Sequence, residues 1–136
     1  MPVCRYLADT NFISAYQRKD PKAKAWRDKH ADQLGETPFT LGEIRRGIEL
    51  SKDPKARPAL ERKFRQVLED YREAIYVFDE AAAGEWGRMT ADMSTALPPL
   101  DDSYIAAIAR TYAMTVVTRN TQHVCGCNTV NPREEY

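Results

Sequence analysis

Four oxygen-bearing side chains, far apart along the chain, fall where a parallel α/β sheet would gather them: Asp9, Glu43, Asp102 and Asn120. Asp9 closes the apolar run at 3–8 and Asn120 follows the one at 114–118. Both stand at the carboxyl ends of expected strands, where open parallel sheets place their ligand sites. Asp102 precedes Ile105 and Ala109 by three and seven residues, so it projects near the buried stripe of its helix. Glu43 belongs to the first turn of another helix, beside the stripe Leu41, Ile44 and Ile48. Two carboxylates about 4 Å apart repel by roughly 4 kcal/mol at an effective dielectric of about 20. Such a group takes up protons or holds a cation. All-oxygen ligands suit Mg²⁺ or Mn²⁺ and leave coordination positions for water and a phosphate oxygen. A cation held this way activates water against a phosphodiester, which is nuclease chemistry. Each residue also has a purely structural reading. Asp9 can be a helix N-cap, Glu43 a capping-box partner of Thr40, and Asn120 a turn residue. Asp101 and Asp102 can simply neutralise a helix N-terminus.

The elements that must position these groups are short strands separated by helices. Residues 3–8 form a β-prone run, followed by a short helix through Tyr16. Asp20-Pro21 opens a second helix, with Ala23, Trp26 and His30 on one face. Gly35 to Pro38 breaks the pattern, and Thr40 is the expected N-cap of the next helix. A charged helix over 59–73 turns Leu60, Phe64, Val67, Leu68 and Tyr71 inward, and 75–78 is a compact strand candidate. The segment 80–96 repeats Ala82, Trp86, Met89, Met93 and Ala96 at the spacing of a buried helix face. Asp101-Asp102-Ser103 caps a further helix with the inward stripe Ile105, Ile108, Ala109 and Tyr112. The run 114–118 is the strongest strand signal, and 128–130 offers one more short strand. The economical architecture is α/β, with helices packed on a parallel sheet.

Length and composition narrow the field. A chain of 136 residues supports one core, read as a single domain over 1–132 with a polar tail at 133–136. Apolar residues at 43% and charged ones at 29% describe a globular chain rather than a disordered one. No uncharged apolar stretch approaches the ~18 residues of a membrane span. Met1-Pro2-Val3-Cys4-Arg5 has no apolar core of a secretory signal. Three cysteines (Cys4, Cys125, Cys127) leave an odd thiol, which points to a reducing cytoplasm. The formal charge is zero but unevenly spread. Residues 45–65 carry eight basic against three acidic residues, and 69–102 carry nine acidic against two basic. That asymmetry suits a polyanion docking beside a cation site, or a set of solvated helix faces. His123-Val124-Cys125-Gly126-Cys127 crowds three soft ligands into five residues, unlike the separated ligand pairs of a structural zinc site. No Gly-rich turn follows any expected strand, which removes a dinucleotide site. Arg119-Asn120 stands where a response-regulator-like phosphoacceptor domain has a lysine.

The residues resemble the PIN-domain ribonucleases. Residues 7–14, reading Leu7-Ala8-Asp9-Thr10-Asn11-Phe12-Ile13-Ser14, are similar to that family's opening motif. Thr40-Leu41-Gly42-Glu43-Ile44-Arg45-Arg46-Gly47-Ile48-Glu49 resembles the second motif, Asp102-Ser103-Tyr104-Ile105-Ala106-Ala107 the third and Val116-Val117-Thr118-Arg119-Asn120-Thr121 the fourth. Phe78-Asp79-Glu80-Ala81-Ala82, Trp86-Gly87-Arg88 and Val130-Asn131-Pro132 look like the VapC toxin branch. The resemblance runs from Arg5 to Pro132, and its strength lies in four motifs in order.

It implies a three-layer α/β/α sandwich on a central parallel sheet and a metal-dependent endoribonuclease, with Mg²⁺ (or Mn²⁺) as cofactor. It also implies an RNA substrate, a cognate antitoxin protein and a homodimer. By position, Asp9, Glu43 and Asp102 are the implied metal carboxylates, and Asn120 assists the metal site or its water. Thr10 and Asn11 buttress the first carboxylate; Arg45, Arg46 and Arg119 lie where they would guide RNA. The chain departs from the pattern after Thr121, where Gln122-His123-Val124 puts His123 at the place of a fourth acid. Imidazole is a poor Mg²⁺ ligand but an acceptable one for Mn²⁺. A degenerate, non-catalytic PIN domain that binds RNA or protein is the alternative this substitution raises.

Overall fold

In the computed structural model, residues 4–91, 100–119 and 127–132 are described. Strand β1 (Tyr6–Ala8) leads into α1 (Thr10–Gln17) and α2 (Pro21–Lys29). A 3₁₀ turn at Ala31–Gln33 then enters β2 (Leu34–Gly35). Helices α3 (Pro38–Leu50) and α4 (Arg57–Asp70) follow, then α5 (Glu80–Ala91) and α6 (Leu100–Thr111). Strands β3 (Thr115–Val117) and β4 (Thr129–Val130) complete the described elements.

All strand pairs are parallel, and the order is β2-β1-β3-β4. Leu7 pairs with Val116 and Ala8 with Val117. Because side chains alternate along a strand, each pair presents to one face of the sheet. Leu7 and Val116 pack with Met89 of α5 and with Ile105, Ala106 and Ile108 of α6. Ala8 and Val117 pack with Phe12 and Ile13 of α1, Trp26 of α2 and Val67 of α4. Two cores on opposite faces make the α/β/α layering that the apolar strand runs imply. Among the described residues no helix is long and apolar enough to cross a membrane.

Four expectations are corrected. Leu34–Gly35 is a strand rather than a break, too short to show periodicity in sequence. The run 75–78 is not a strand: only Ile75 bridges to Glu36, and Val77 is exposed as the chain leaves the sheet. Thr37, not Thr40, caps α3; its hydroxyl accepts from the Thr40 amide at 3.4 Å, and Pro38 fills the first helical position. The capping-box reading of Glu43 therefore lapses. Leu68 and Tyr112 face outward rather than into the core. The Tyr112 hydroxyl donates instead to Asp79, whose other carboxyl oxygen caps α5 by accepting from the Ala82 amide at 2.9 Å. Met93 and Ala96 lie outside the described residues.

Gly35 shows why the second strand tolerates so little. A Cβ there would meet the Tyr76 ring at 2.7 Å and the Ala74 carbonyl oxygen at 3.0 Å. The ring can swing, but the carbonyl belongs to backbone hydrogen-bonded to Glu36. Gly35→Ala is expected to lose about 1–3 kcal/mol as overpacking. It would appear as a lower urea midpoint at unchanged slope; an unchanged midpoint would mean that the ring and backbone yield without strain.

Candidate active site

The sheet order fixes where a site can form. From β1 the chain first builds β2 on one side through α1 and α2, and later builds β3 on the other side after α5 and α6. The β1–β3 seam is thus the topological switch point, and its carboxyl end is the crevice such sheets offer to ligands. Asp9 and Thr118 occupy that end.

Asp9 is half-buried and held on several sides. Its amide donates to the Val117 carbonyl at 3.2 Å. Its Oδ1 accepts from the Phe12 amide at 2.8 Å, capping α1. The Thr118 hydroxyl also bonds to the carboxyl group. Burial raises the Asp9 pKa above the ordinary aspartate value, while the bonds from Thr118, Phe12 and Asn11 and the charge of Arg119 pull it back in part. The net rise means that the hydrogen bonds and the nearby Arg119 do not fully compensate the buried negative charge. Beside it, the buried hydroxyl of Thr10 has no hydrogen-bond partner among the described residues.

The other expected site residues are distributed as follows. Asn11 is exposed and reaches Asp9 through its amide. Glu43 lies on the exposed surface of α3, and Asp102 is half-buried in the first turn of α6. Ser103 beside it is buried, accepts from the Trp86 indole at 2.9 Å and donates to the Leu100 carbonyl at 2.7 Å, which fixes that turn against α5. Asn120 and His123 lie outside the described residues, as does all of the 123–127 thiol segment except Cys127. Among the described residues, no three His, Cys, Asp or Glu side chains are gathered to hold a metal ion.

Arg45, expected to guide RNA, is half-exposed and already paired. Both its terminal nitrogens bond Glu61 of α4, at 2.8 and 2.9 Å, and its guanidinium lies 4.7 Å from the centre of the Phe64 ring. Such bidentate, stacked pairing ties α3 to α4. Arg46 and Arg119 are exposed.

Two residues were missed in the sequence. Thr118 bonds to Asp9, a role only the β1–β3 register reveals. Glu36, with no exposed surface, is a carboxyl buried at the end of β2. No pattern in the sequence marked it.

A family profile described as PIN domain matches residues 6–124 of the chain. Among characterised proteins, the plasmid stability protein StbB of Pseudomonas syringae pv. tomato is 32% identical, covering 94% of this chain and 98% of that protein. The toxin FitB of Neisseria gonorrhoeae is 31% identical, covering 85% and 87% respectively. The crystal structure of FitAcB from N. gonorrhoeae superposes with a TM-score of 0.81 at 29% identity, over 94% of this chain and 98% of that one.

Proposed function

The chain belongs to the PIN-domain family, and from that premise we propose that it is a metal-dependent endoribonuclease, the toxin of a toxin–antitoxin pair. The observation that carries the reading is the setting of Asp9. It is a carboxylate at the switch-point crevice, fixed in direction by the Phe12 amide and the Thr118 hydroxyl, whose charge burial leaves under-compensated. Likeness to the toxin FitB in sequence, and to the FitAcB structure in fold, supports the toxin role and a cognate antitoxin as partner. A second copy of the chain, forming a homodimer, is part of the same proposal.

The donor chemistry fits a hard cation. Asp9, Glu43 and Asp102 would hold Mg²⁺ or Mn²⁺, since all three offer oxygen. Drawing such carboxylates together costs roughly 4 kcal/mol for a pair at about 4 Å, which a bound cation would offset without protonating them. When bound, that cation supplies an acidified water and neutralises charge developing on the phosphodiester.

The chain's own groups do the rest. Asp9 keeps one carboxyl oxygen on the α1 cap, so its orientation is set before any substrate arrives. Arg119, adjacent to Thr118 and close enough for its charge to act on Asp9, offers a cation to an RNA phosphate. Arg46 adds a second exposed cation from α3, the role left open by the commitment of Arg45. Thr10 offers a buried hydroxyl at the same edge. Asn120 and His123 remain proposed contacts to the site and to RNA.

Incubation with total RNA is the decisive measurement. Cleavage is expected with Mg²⁺ or Mn²⁺, is expected to stop in EDTA, and is expected to return when the metal is restored in excess. Cutting that persists in EDTA overturns the mechanism. RNA or antitoxin binding without cleavage in either metal selects the non-catalytic PIN domain.

A further inference from the structure

Glu36 stands between β2 and the cap of α3, and every backbone group it has is used. Its amide donates to the Ala74 carbonyl at 2.9 Å, and its own carbonyl accepts from the Tyr76 amide at 2.8 Å. The side chain is the opposite. It has no exposed surface, and neither carboxyl oxygen has a hydrogen-bond partner among the described residues. Among the described residues, the charge that acts on it is a like one. From α4, Asp70 presents a like charge, and Tyr71 presents a phenol whose own pKa is raised by burial. From α2, Arg27 bonds to Tyr71 rather than to Glu36. From α3, Thr40 is fully buried and its hydroxyl is likewise without a partner among the described residues. The 74–76 segment contacts Glu36 through backbone.

We propose that Glu36 is a proton-held latch on the start of α3. With its proton, the carboxyl stays in the sheet and the first turn of α3 stays closed over it. Without the proton, a buried charge facing Asp70 with no hydrogen bond is untenable, and the first turn opens to admit water. The helix so released is the one that carries Glu43. Burial first, and then the Asp70 charge, pushes the Glu36 pKa up to about 8 from an ordinary 4.5. The sign follows from linkage. The folded pKa lies above the unfolded one, so the proton-linked stabilisation is complete below about 4.5 and is lost as pH rises through 8. This inference does not depend on the nuclease reading, and its test needs no activity.

The test is hydrogen exchange on the whole protein between pH 5 and 9, with each rate divided by its intrinsic rate. The reporters are the amides of Glu36 and Tyr76, which pair the strand end with 74–76, and those of Thr40 and Leu41, which bond Thr37. In the wild type their protection should fall by up to about tenfold per pH unit across 5–8, the slope of one proton. Glu36→Gln should remove that slope. Because a buried amide can itself lack partners, Glu36→Leu serves as a second variant and should be equally flat. The amides of Val116 and Thr118, which bond across β3–β4, should hold their protection in all three proteins. Either of two results overturns the latch: an identical pH slope in the wild type and both variants, or a wild-type loss that extends equally to Val116 and Thr118.

Discussion

Asp9→Asn is expected to abolish RNA cleavage while leaving the fold as stable as before at neutral pH, or more so. The catalytic side of this expectation is electrostatic. Under the proposed assignment of Asp9, Glu43 and Asp102 to a cation, losing one carboxylate would remove several kcal/mol of charge stabilisation; about 3–4 kcal/mol corresponds to roughly 10²–10³ in rate. The structural side rests on the bonds Asp9 makes. Its Oδ1 accepts from the Phe12 amide at 2.8 Å, and an asparagine carbonyl accepts the same bond and caps a helix equally well. Burial raises the Asp9 pKa, so the folded state binds this proton more tightly than the unfolded chain does. The associated stabilisation is present below the ordinary aspartate value near 3.8 and disappears as pH climbs through the raised folded value. At pH 7 the ionised carboxylate therefore works against the fold, and the neutral amide lifts that strain. Single-turnover cleavage and thermal melting on the same preparation check both halves. Equal cleavage by the variant would remove Asp9 from the chemistry. A large drop in melting temperature would show that the carboxylate serves the cap alone.

That separation of roles also explains what could be read in the residues before any coordinates. Asp9 was legible because its neighbours were: an apolar run before it and a cap-plus-helix pattern after it fix it at a strand end. The strands at 6–8 and 115–117 announced themselves by apolar runs, and the structure pairs them in register. The short strand at 34–35 left no such trace, since two residues carry no period and one is the glycine whose missing side chain admits the Tyr76 ring. The run at 75–78 carried a strand's composition without its environment. Only Ile75 meets a neighbour, and by Asp79 the chain has turned to cap α5. Thr40 resembled a cap because Glu43 follows it by three, but Pro38 already starts the helix and leaves the capping position to Thr37. Non-local partners were the harder matter. Arg45 reads as a free basic residue until Glu61, sixteen positions on, closes over it. Glu36 reads as an ordinary polar residue before a helix until the fold encloses it. Local pattern places backbone well, whereas the charge state of a side chain depends on what the fold brings against it.

The same dependence makes Trp26→Ala the most damaging core substitution expected away from the site. Trp26 has no exposed surface and joins its own helix to two other elements, β1 and α1. Its ring meets Tyr6 of β1 edge-on at 4.9 Å and Phe12 of α1 edge-on at 5.5 Å, and stacks on His30 at 4.0 Å. Removing it costs the transfer of a large aromatic surface plus the cavity left behind, about 3–5 kcal/mol. Domains of this size have about 5–15 kcal/mol in total, so the variant loses a large fraction of its stability and melts on the order of 10–20 °C lower. Trp26→Phe should lose less, because a smaller ring still meets Tyr6 and Phe12. Urea unfolding of the three proteins measures the difference. The residues Trp26 joins are those on either side of Asp9: Tyr6 in the strand that ends at it and Phe12 on the helix it caps. A partly unfolded Trp26→Ala protein should therefore lose cleavage in proportion to its unfolded fraction, and regain it under stabilising osmolyte. Asp9→Asn should regain none. A Trp26→Ala loss below about 1 kcal/mol would mean that α2 collapses onto β1 and fills the space, and that the aromatic cluster is not what holds the strand end in place.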